Sequence, residues 1–154
     1  MSALPKRKRP AHPPPVDRRN DPTVIMVTVC ARKRMSCLAN DAVHNALLSA
    51  WERAQEWSVG YYLIMPDHVH LFCAPGSFTP VGIKFWTKKW KGLASIKLGP
   101  KTWHWLPDCW DTQMRDYAHY VEKVEYVRRN PVRRGLVARH EEWPYQGEIH
   151  RIRW

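Results

Sequence analysis

Little in this chain can serve as a covalent staple or a membrane anchor. Its 154 residues include four cysteines, Cys30, Cys37, Cys73 and Cys109, with no CxxC pair among them. A chain of this size can build a single core without disulfides. No signal-peptide pattern heads the sequence and no apolar run approaches membrane-spanning length. Reduced thiols in a cytoplasmic protein are the expectation. Acidic side chains are also scarce, with 14 Asp and Glu against 25 Lys and Arg, for a formal net charge of +11. A surplus of that size suits a polyanionic partner, because neutralising phosphates releases condensed counterions. A merely soluble basic protein has the same balance, so charge alone does not decide.

Tryptophan is what the chain has in excess, with nine residues. Buried, these rings fill core; exposed, they offer flat platforms on which bases stack.

Residues 1–23 carry six basic and two acidic side chains and six of the 13 prolines, with almost no bulky apolar residue. They read as a disordered basic arm whose Lys6, Arg7, Lys8 and Arg9 grip phosphates without sequence preference. The rest, residues 24–154, keeps 19 basic against 12 acidic side chains and reads as one domain.

Order is expected from Val24, where VIMVTVC is β-branched and apolar enough for a central strand. Asn40 or Asp41 caps a helix running to about Trp57, closed by Gly60. Tyr61–Met65 and His68–Ala74 form two strands around a Pro66-Asp67 turn. A second helix spans about Pro80 to Leu98, with Ile83, Trp86, Trp90 and Leu93 inward. Its Lys84, Lys88 and Lys91 recur at helical spacing, as a phosphate-contacting row or as an ordinary solvated face. A tryptophan-rich loop, KTWHWLPDCW, follows, and Trp103 and Trp105 are candidates for stacking on bases. A third helix covers about Asp116 to Arg129 and stops before Pro131. This order of elements implies an α+β layer, helices over an antiparallel sheet.

The sharpest motif is Asp67-His68-Val69-His70. On a strand, residues i and i+2 share a face, so the two imidazoles align while Val69, Leu71 and Cys73 pack the other way. Two aligned imidazoles make half of a metal site. Alone the motif is weak, since partly exposed histidines without a metal share the spacing. The second motif is Tyr126 in VEKVEYVRRNP. Tyr117, Tyr120, Val121, Val124 and Val127 form the apolar stripe of helix three, and Tyr126 lies about 200° around from Val124. It stands off that stripe beside Arg128 and Arg129, placed to meet a phosphate, with Asn130 four residues on and on its side of the helix. Together these residues describe one reaction. Two histidines and an amide oxygen hold a divalent cation that polarises a phosphate, and the tyrosine attacks phosphorus.

Here the chain resembles the single-tyrosine transposases with a histidine–hydrophobic–histidine motif, specifically the bacterial REP-associated tyrosine transposases. The resemblance runs through MPDHVHLF, DCWDTQMRDY, EYVRRNPVRRGLV and EEWPYQG, across most of residues 24–147. It implies a ferredoxin-like (RRM-like) antiparallel sheet with helices packed on one face. It implies His68, His70 and Asn130 as ligands of Mg2+ or Mn2+, although relatives often carry glutamine at the last position. Tyr126 is then the nucleophile of a nuclease and strand transferase that works through a covalent 5′-phosphotyrosine. The implied substrate is single-stranded, hairpin-bearing repeat DNA. The expected setting is the bacterial cytoplasm at the nucleoid, as monomer or homodimer, with neither a membrane nor a small-molecule substrate. Two rival readings keep the same residues. One is a catalytically silent hairpin-binding module on the same fold; the other is a zinc protein using His68, His70 and Cys73. Against zinc, Cys73 belongs on Val69's face of the strand.

Overall fold

The computed structural model describes residues 23–76 and 81–154. The expected basic arm, with Lys6 to Arg9, lies outside the described residues.

The first strand, β1 (Ile25–Cys30), is buried along its whole length and pairs on both sides, as its β-branched sequence predicts. A short 3-10 turn, Arg32–Arg34, leads to helix α1 (Asp41–Arg53). Asn40 caps α1, its side-chain oxygen accepting the Val43 N–H at 2.9 Å. The helix ends four residues before the expected Trp57, which instead opens strand β2 (Trp57–Ile64). Gly60 is therefore not a helix cap. It sits where β2 bulges against its neighbour, and a Cβ there would come 2.7 Å from the Ile152 side chain. Strand β3 (His68–Pro75) returns after the Pro66-Asp67 turn.

Helix α2 (Ile83–Leu98) follows, buried along Ile83, Trp86, Thr87, Trp90 and Ala94. The tryptophan-rich segment holds a strand that periodicity did not reveal, β4 (Trp110–Gln113). Helix α3 (Tyr117–Arg128) is capped by Asp116, whose carboxylate accepts the His119 N–H at 2.8 Å. A one-turn helix α4 (Asn130–Arg133) and an edge strand β5 (Gln146–Glu148) complete the fold.

The five strands form one antiparallel sheet in the order β4-β1-β3-β2-β5. The first four strands and two helices give β-α-β-β-α-β with β1 and β3 central, the ferredoxin-like arrangement. One part of the expectation needs correction, because helices cover both faces. Helices α1 and α2 lie over the face that presents Val27, Val29, Val69, Leu71 and Cys73. Helix α3 lies over the opposite face, with Met26, Leu63, Phe72, Met114, Val127 and Trp143 packed together. The reason is the two-residue alternation of β1 and β3. Their second face is itself largely apolar and buried, so it too needs a cover.

Most of the described tryptophans are structural. Trp51, Trp57, Trp86, Trp90, Trp103, Trp105 and Trp143 are all buried. Three indoles pin the layers together through N–H donors: Trp86 to the Ala54 carbonyl, Trp57 to that of Val81, and Trp143 to that of Ile64. Trp103 and Trp105 stack edge to face at 5.1 Å, and Trp105 meets Trp90 at 6.1 Å. Their expected role as base platforms is corrected, since their faces are spent on the core. Lys91 is corrected in the same way. It is 7% exposed, and its ammonium donates to the Leu106 and Pro107 carbonyls at 2.9 and 3.3 Å, tying the loop to α2.

Candidate active site

The site forms on the α3 face of the sheet, where β1 and β3 run side by side. Register sets Thr28 opposite His70 and Cys30 opposite His68. His68, His70 and Phe72 share this face, as the alternation of β3 requires. Both histidines are wholly inaccessible to solvent. Their rings lie 4.7 Å apart, nearly perpendicular.

Each imidazole is oriented through Nδ1. The Nδ1 of His68 lies 2.7 Å from an Asp67 carboxylate oxygen and can only donate to it. That proton assignment leaves the His68 Nε2 lone pair free, and the Asn130 amide donates to it at 3.3 Å. The Nδ1 of His70 lies 2.9 Å from the Thr28 hydroxyl, and His70 Nε2 has no partner. Burial lowers the pKa of both histidines, that of His70 well below the usual range, and the charges of Arg34 and Arg133 near His70 add to the effect. Both rings are therefore neutral near pH 7, and His68, whose Nδ1 carries the proton, has an unprotonated Nε2.

Asp67 is the hub of this arrangement. Its second oxygen accepts Arg34 Nε at 2.9 Å and Arg34 Nη2 at 2.7 Å, and Arg134 stands 3.7 Å from the first. Burial alone would raise the carboxyl pKa. Hydrogen bonding from His68 and the charge of Arg34 outweigh it and hold Asp67 ionised, far below the usual carboxylate range. Because His68 itself stays neutral, we attribute that hold chiefly to Arg34 and to the bond His68 donates. Arg34 reaches Asp67 from the turn Arg32–Arg34, in which Lys33 and Arg34 take left-handed backbone angles (φ 57° and 53°). Two such residues cost about 1–2 kcal/mol each, and the fork onto Asp67 offsets part of it.

Asn130 enters through a corner in the chain. Pro131 has no N–H to donate to the Val127 carbonyl and its ring crowds that carbonyl, so α3 ends at Arg128. Pro131 fits the first turn of α4, where its missing N–H would have no partner in any case. The bend turns Asn130 inward, fully buried, with its side-chain oxygen unpaired. Tyr126, before the corner, is 42% exposed. The expectation that Tyr126 and Asn130 share one side of a continuous helix is thereby corrected.

Helix α3 differs from its predicted stripe. Val127 is buried and Tyr120 and Val124 are half-buried, but Tyr117 and Val121 are exposed. Tyr126 does stand off the packed side, as expected. Its ring lies under Arg133, whose guanidinium carbon is 3.9 Å from the centroid, with the Lys123 ammonium 5.8 Å away. An open groove beside it is lined by Glu122, Lys123, Glu125, Tyr126, Arg129 and Arg133. Arg129 thus stands where the sequence suggested. Arg128 does not: it pairs with Glu125 at 2.6 Å and covers the Tyr61 ring. Lys84 and Lys88 are exposed on α2, across the sheet from the histidines, so a phosphate they held would not be one beside Tyr126.

The donor set fits a divalent cation. Among the described residues no group of three His, Cys, Asp or Glu side chains makes a metal site. The third donor available beside the histidines is instead an amide. His68 presents an unprotonated Nε2, and His70 Nε2 and Asn130 Oδ1 are buried polar atoms without partners. Cys73 is no part of the set. It faces the α1 and α2 core, where burial raises its thiol pKa well above the usual value. That removes the zinc reading built on it.

No protein-family model matches the sequence. A REP-associated tyrosine transposase of Escherichia coli (strain K12) is 24% identical over 131 residues, covering 77% of this chain and 72% of that protein. The solved structure of a REP-associated tyrosine transposase bound to a REP hairpin covers 95% of this chain and 82% of its own, with a TM-score of 0.68 at 21% identity. This chain is thus similar, over most of its length, to REP-associated tyrosine transposases. A putative transposase from Deinococcus radiodurans R1 matches with a TM-score of 0.50 at 16% identity, covering 75% of this chain and 96% of its own. At these identities the structural likenesses establish the fold.

Sequence reasoning missed Thr28, Arg34, Asp67 and Arg133 as members of this candidate site. Asp67 had a visible signal, its place directly before the histidine pair. Arg133 had a weaker one, lying three residues after Asn130. Thr28 and Arg34 had none, because only the β1–β3 register and the turn conformation bring them in.

Proposed function

We propose that this chain is a metal-dependent single-tyrosine nuclease and strand transferase acting on single-stranded DNA that carries hairpins. The observation that carries the reading is the pair of buried, unpartnered polar atoms His70 Nε2 and Asn130 Oδ1, gathered with His68 beneath the helix that bears Tyr126. A folded protein rarely leaves such atoms unmatched unless a ligand meets them. The likeness to a hairpin-bound REP-associated tyrosine transposase supports the substrate class.

His68, His70 and Asn130 would hold Mg2+ or Mn2+. When bound, the cation supplies Lewis-acid polarisation of the scissile phosphate. The protein's own residues do the rest. Asp67 fixes the His68 tautomer, so that its Nε2 carries no proton, and Thr28 orients the His70 ring. The Tyr126 oxygen attacks phosphorus as its proton leaves to solvent. An oxygen–phosphorus bond forms, the bond from phosphorus to the 3′-oxygen breaks, and that oxygen takes up a proton as a free hydroxyl. The 5′-phosphate stays on the tyrosine, and a later 3′-hydroxyl rejoins strands by the reverse step without ATP.

Incubating the full chain with a labelled hairpin oligonucleotide and Mg2+ or Mn2+ tests the reading. A covalent protein–DNA adduct that disappears in Tyr126→Phe is expected. Hairpin binding without any adduct would instead favour the catalytically silent module.

A further inference from the structure

Beside the proposed cation ligands stands Arg133. Its guanidinium stacks on the Tyr126 ring at 3.9 Å. Its Nε and Nη2 atoms are shut off from solvent, yet neither has a hydrogen-bond partner. Three neighbouring arginines are engaged: Arg34 forks onto Asp67, Arg134 stands near the same carboxylate, and Arg128 pairs with Glu125. Arg133 also lies close enough to His70 to help keep that ring neutral. It therefore spans the gap between the tyrosine and the histidine pair.

Leaving charged donors buried and unmatched is costly. Stacking on a tyrosine does not require it, because the guanidinium face makes that contact while the N–H groups point outward in its plane. Two adjacent N–H groups on one edge of a planar fork fit two oxygens of one phosphate. A lysine in this position would offer a point charge with no such match.

We propose that Arg133 is a catalytic residue of this site, its Nε and Nη2 edge clasping the two non-bridging oxygens of the phosphate that Tyr126 attacks. The proposal rests on the reading of Tyr126 as nucleophile. It assigns a role to the stacked geometry as well, since one side chain orients the attacking ring and the phosphorus together. The clasp also neutralises charge that builds on those oxygens as the new bond forms.

The test uses the full chain and a labelled hairpin oligonucleotide with a single-stranded foot. Once the parent's cut position is mapped, the same oligonucleotide is made with a methylphosphonate there, which removes one charged oxygen. On the ordinary phosphodiester, R133Q should form the adduct about 10²–10³-fold more slowly at saturating DNA, the scale for losing an oxyanion donor. Hairpin affinity should stay within about 3-fold, because one of many phosphate contacts is lost. On the methylphosphonate, the loss caused by R133Q should be about 10-fold smaller than on the phosphodiester, since one of the two oxygens that Arg133 clasps is already gone. R133K, with charge but no fork, should fall between, and it carries the comparison if R133Q fails to fold. An equal loss by R133Q on both substrates would show that Arg133 acts only on the fold or the ring, and would overturn the clasp. So would a full-rate R133Q. A parent that forms no adduct on either substrate would sink the nucleophile reading itself, a result distinct from both.

Discussion

Replacing Asp67 by Asn tests how the site is held together. The carboxylate is 7% exposed and serves three donors, His68 Nδ1 at 2.7 Å and the Arg34 fork at 2.9 and 2.7 Å. Asparagine keeps the volume and one acceptor, so packing should survive. What disappears is the charge, which turns charge-assisted bonds of about 1.5–3 kcal/mol into neutral ones of about 0.5–1.5 kcal/mol. The amide NH2 would also face either Arg34 or His68, setting donor against donor. Arg34 is one-third exposed, so its share is discounted for solvent screening. We expect a net loss of about 2–3 kcal/mol in urea unfolding followed by tryptophan fluorescence. In melting temperature that is about 6–9 °C for a domain of this size. The sign with pH follows from the depressed carboxyl. Asp67 contributes in full above the unfolded-state pKa of about 3.9, and the contribution fades as pH falls below it. The difference between parent and Asp67→Asn should thus be constant from pH 8 to about 5 and shrink in stronger acid. Loss of the fixed His68 tautomer should also weaken Mn2+ binding about 10- to 100-fold by calorimetry. A stability change under about 0.5 kcal/mol with unaltered Mn2+ binding would refute the hub.

Three further outcomes follow from the same geometry. His70→Ala should destabilise the chelator-treated protein by about 2–4 kcal/mol in urea, because it empties a buried site and strands the Thr28 hydroxyl; in the parent, whose buried histidines stay neutral, stability in chelator should decline as pH drops below about 6.5, where the unfolded chain takes up protons the native state refuses, and a flat profile from pH 7.5 to 5.5 would contradict this. Tyr126→Phe should unfold within about 0.5 kcal/mol of the parent, since the ring is 42% exposed, yet lose the covalent adduct, and mass spectrometry locating a nucleotide on a peptide without Tyr126 would exclude it as nucleophile. Removing residues 1–22 should weaken hairpin binding and lower the slope of log affinity against log salt by up to about 5, from six basic side chains, while cleavage at saturating protein persists; an unchanged slope would take the arm off the DNA.

The sequence by itself carried the elements whose signal is local. The β-branched, apolar run VIMVTVC and the alternation in HVHLFC marked the two central strands, and the latter set Val69 and Cys73 against the histidines, as found. Asn40 and Asp116 announced their helices through cap chemistry that works over three residues. The histidine pair and Tyr126 were legible because type and spacing alone define them. Only the tertiary structure decided what depends on distant segments meeting. The strands β4 and β5 are short and edge-paired, so their identity comes from β1 and β2 and not from their own pattern. Whether Trp103, Trp105 and Lys91 faced DNA or the core turned on where the loop after α2 packs. Neighbours along the chain do not encode that. The orientation of the histidine rings likewise depends on Thr28, 42 residues from His70, and on an arginine 33 residues from Asp67. A chain can specify such contacts only by folding, because each partner gains its hydrogen bond when the sheet register and the Pro131 corner bring it there.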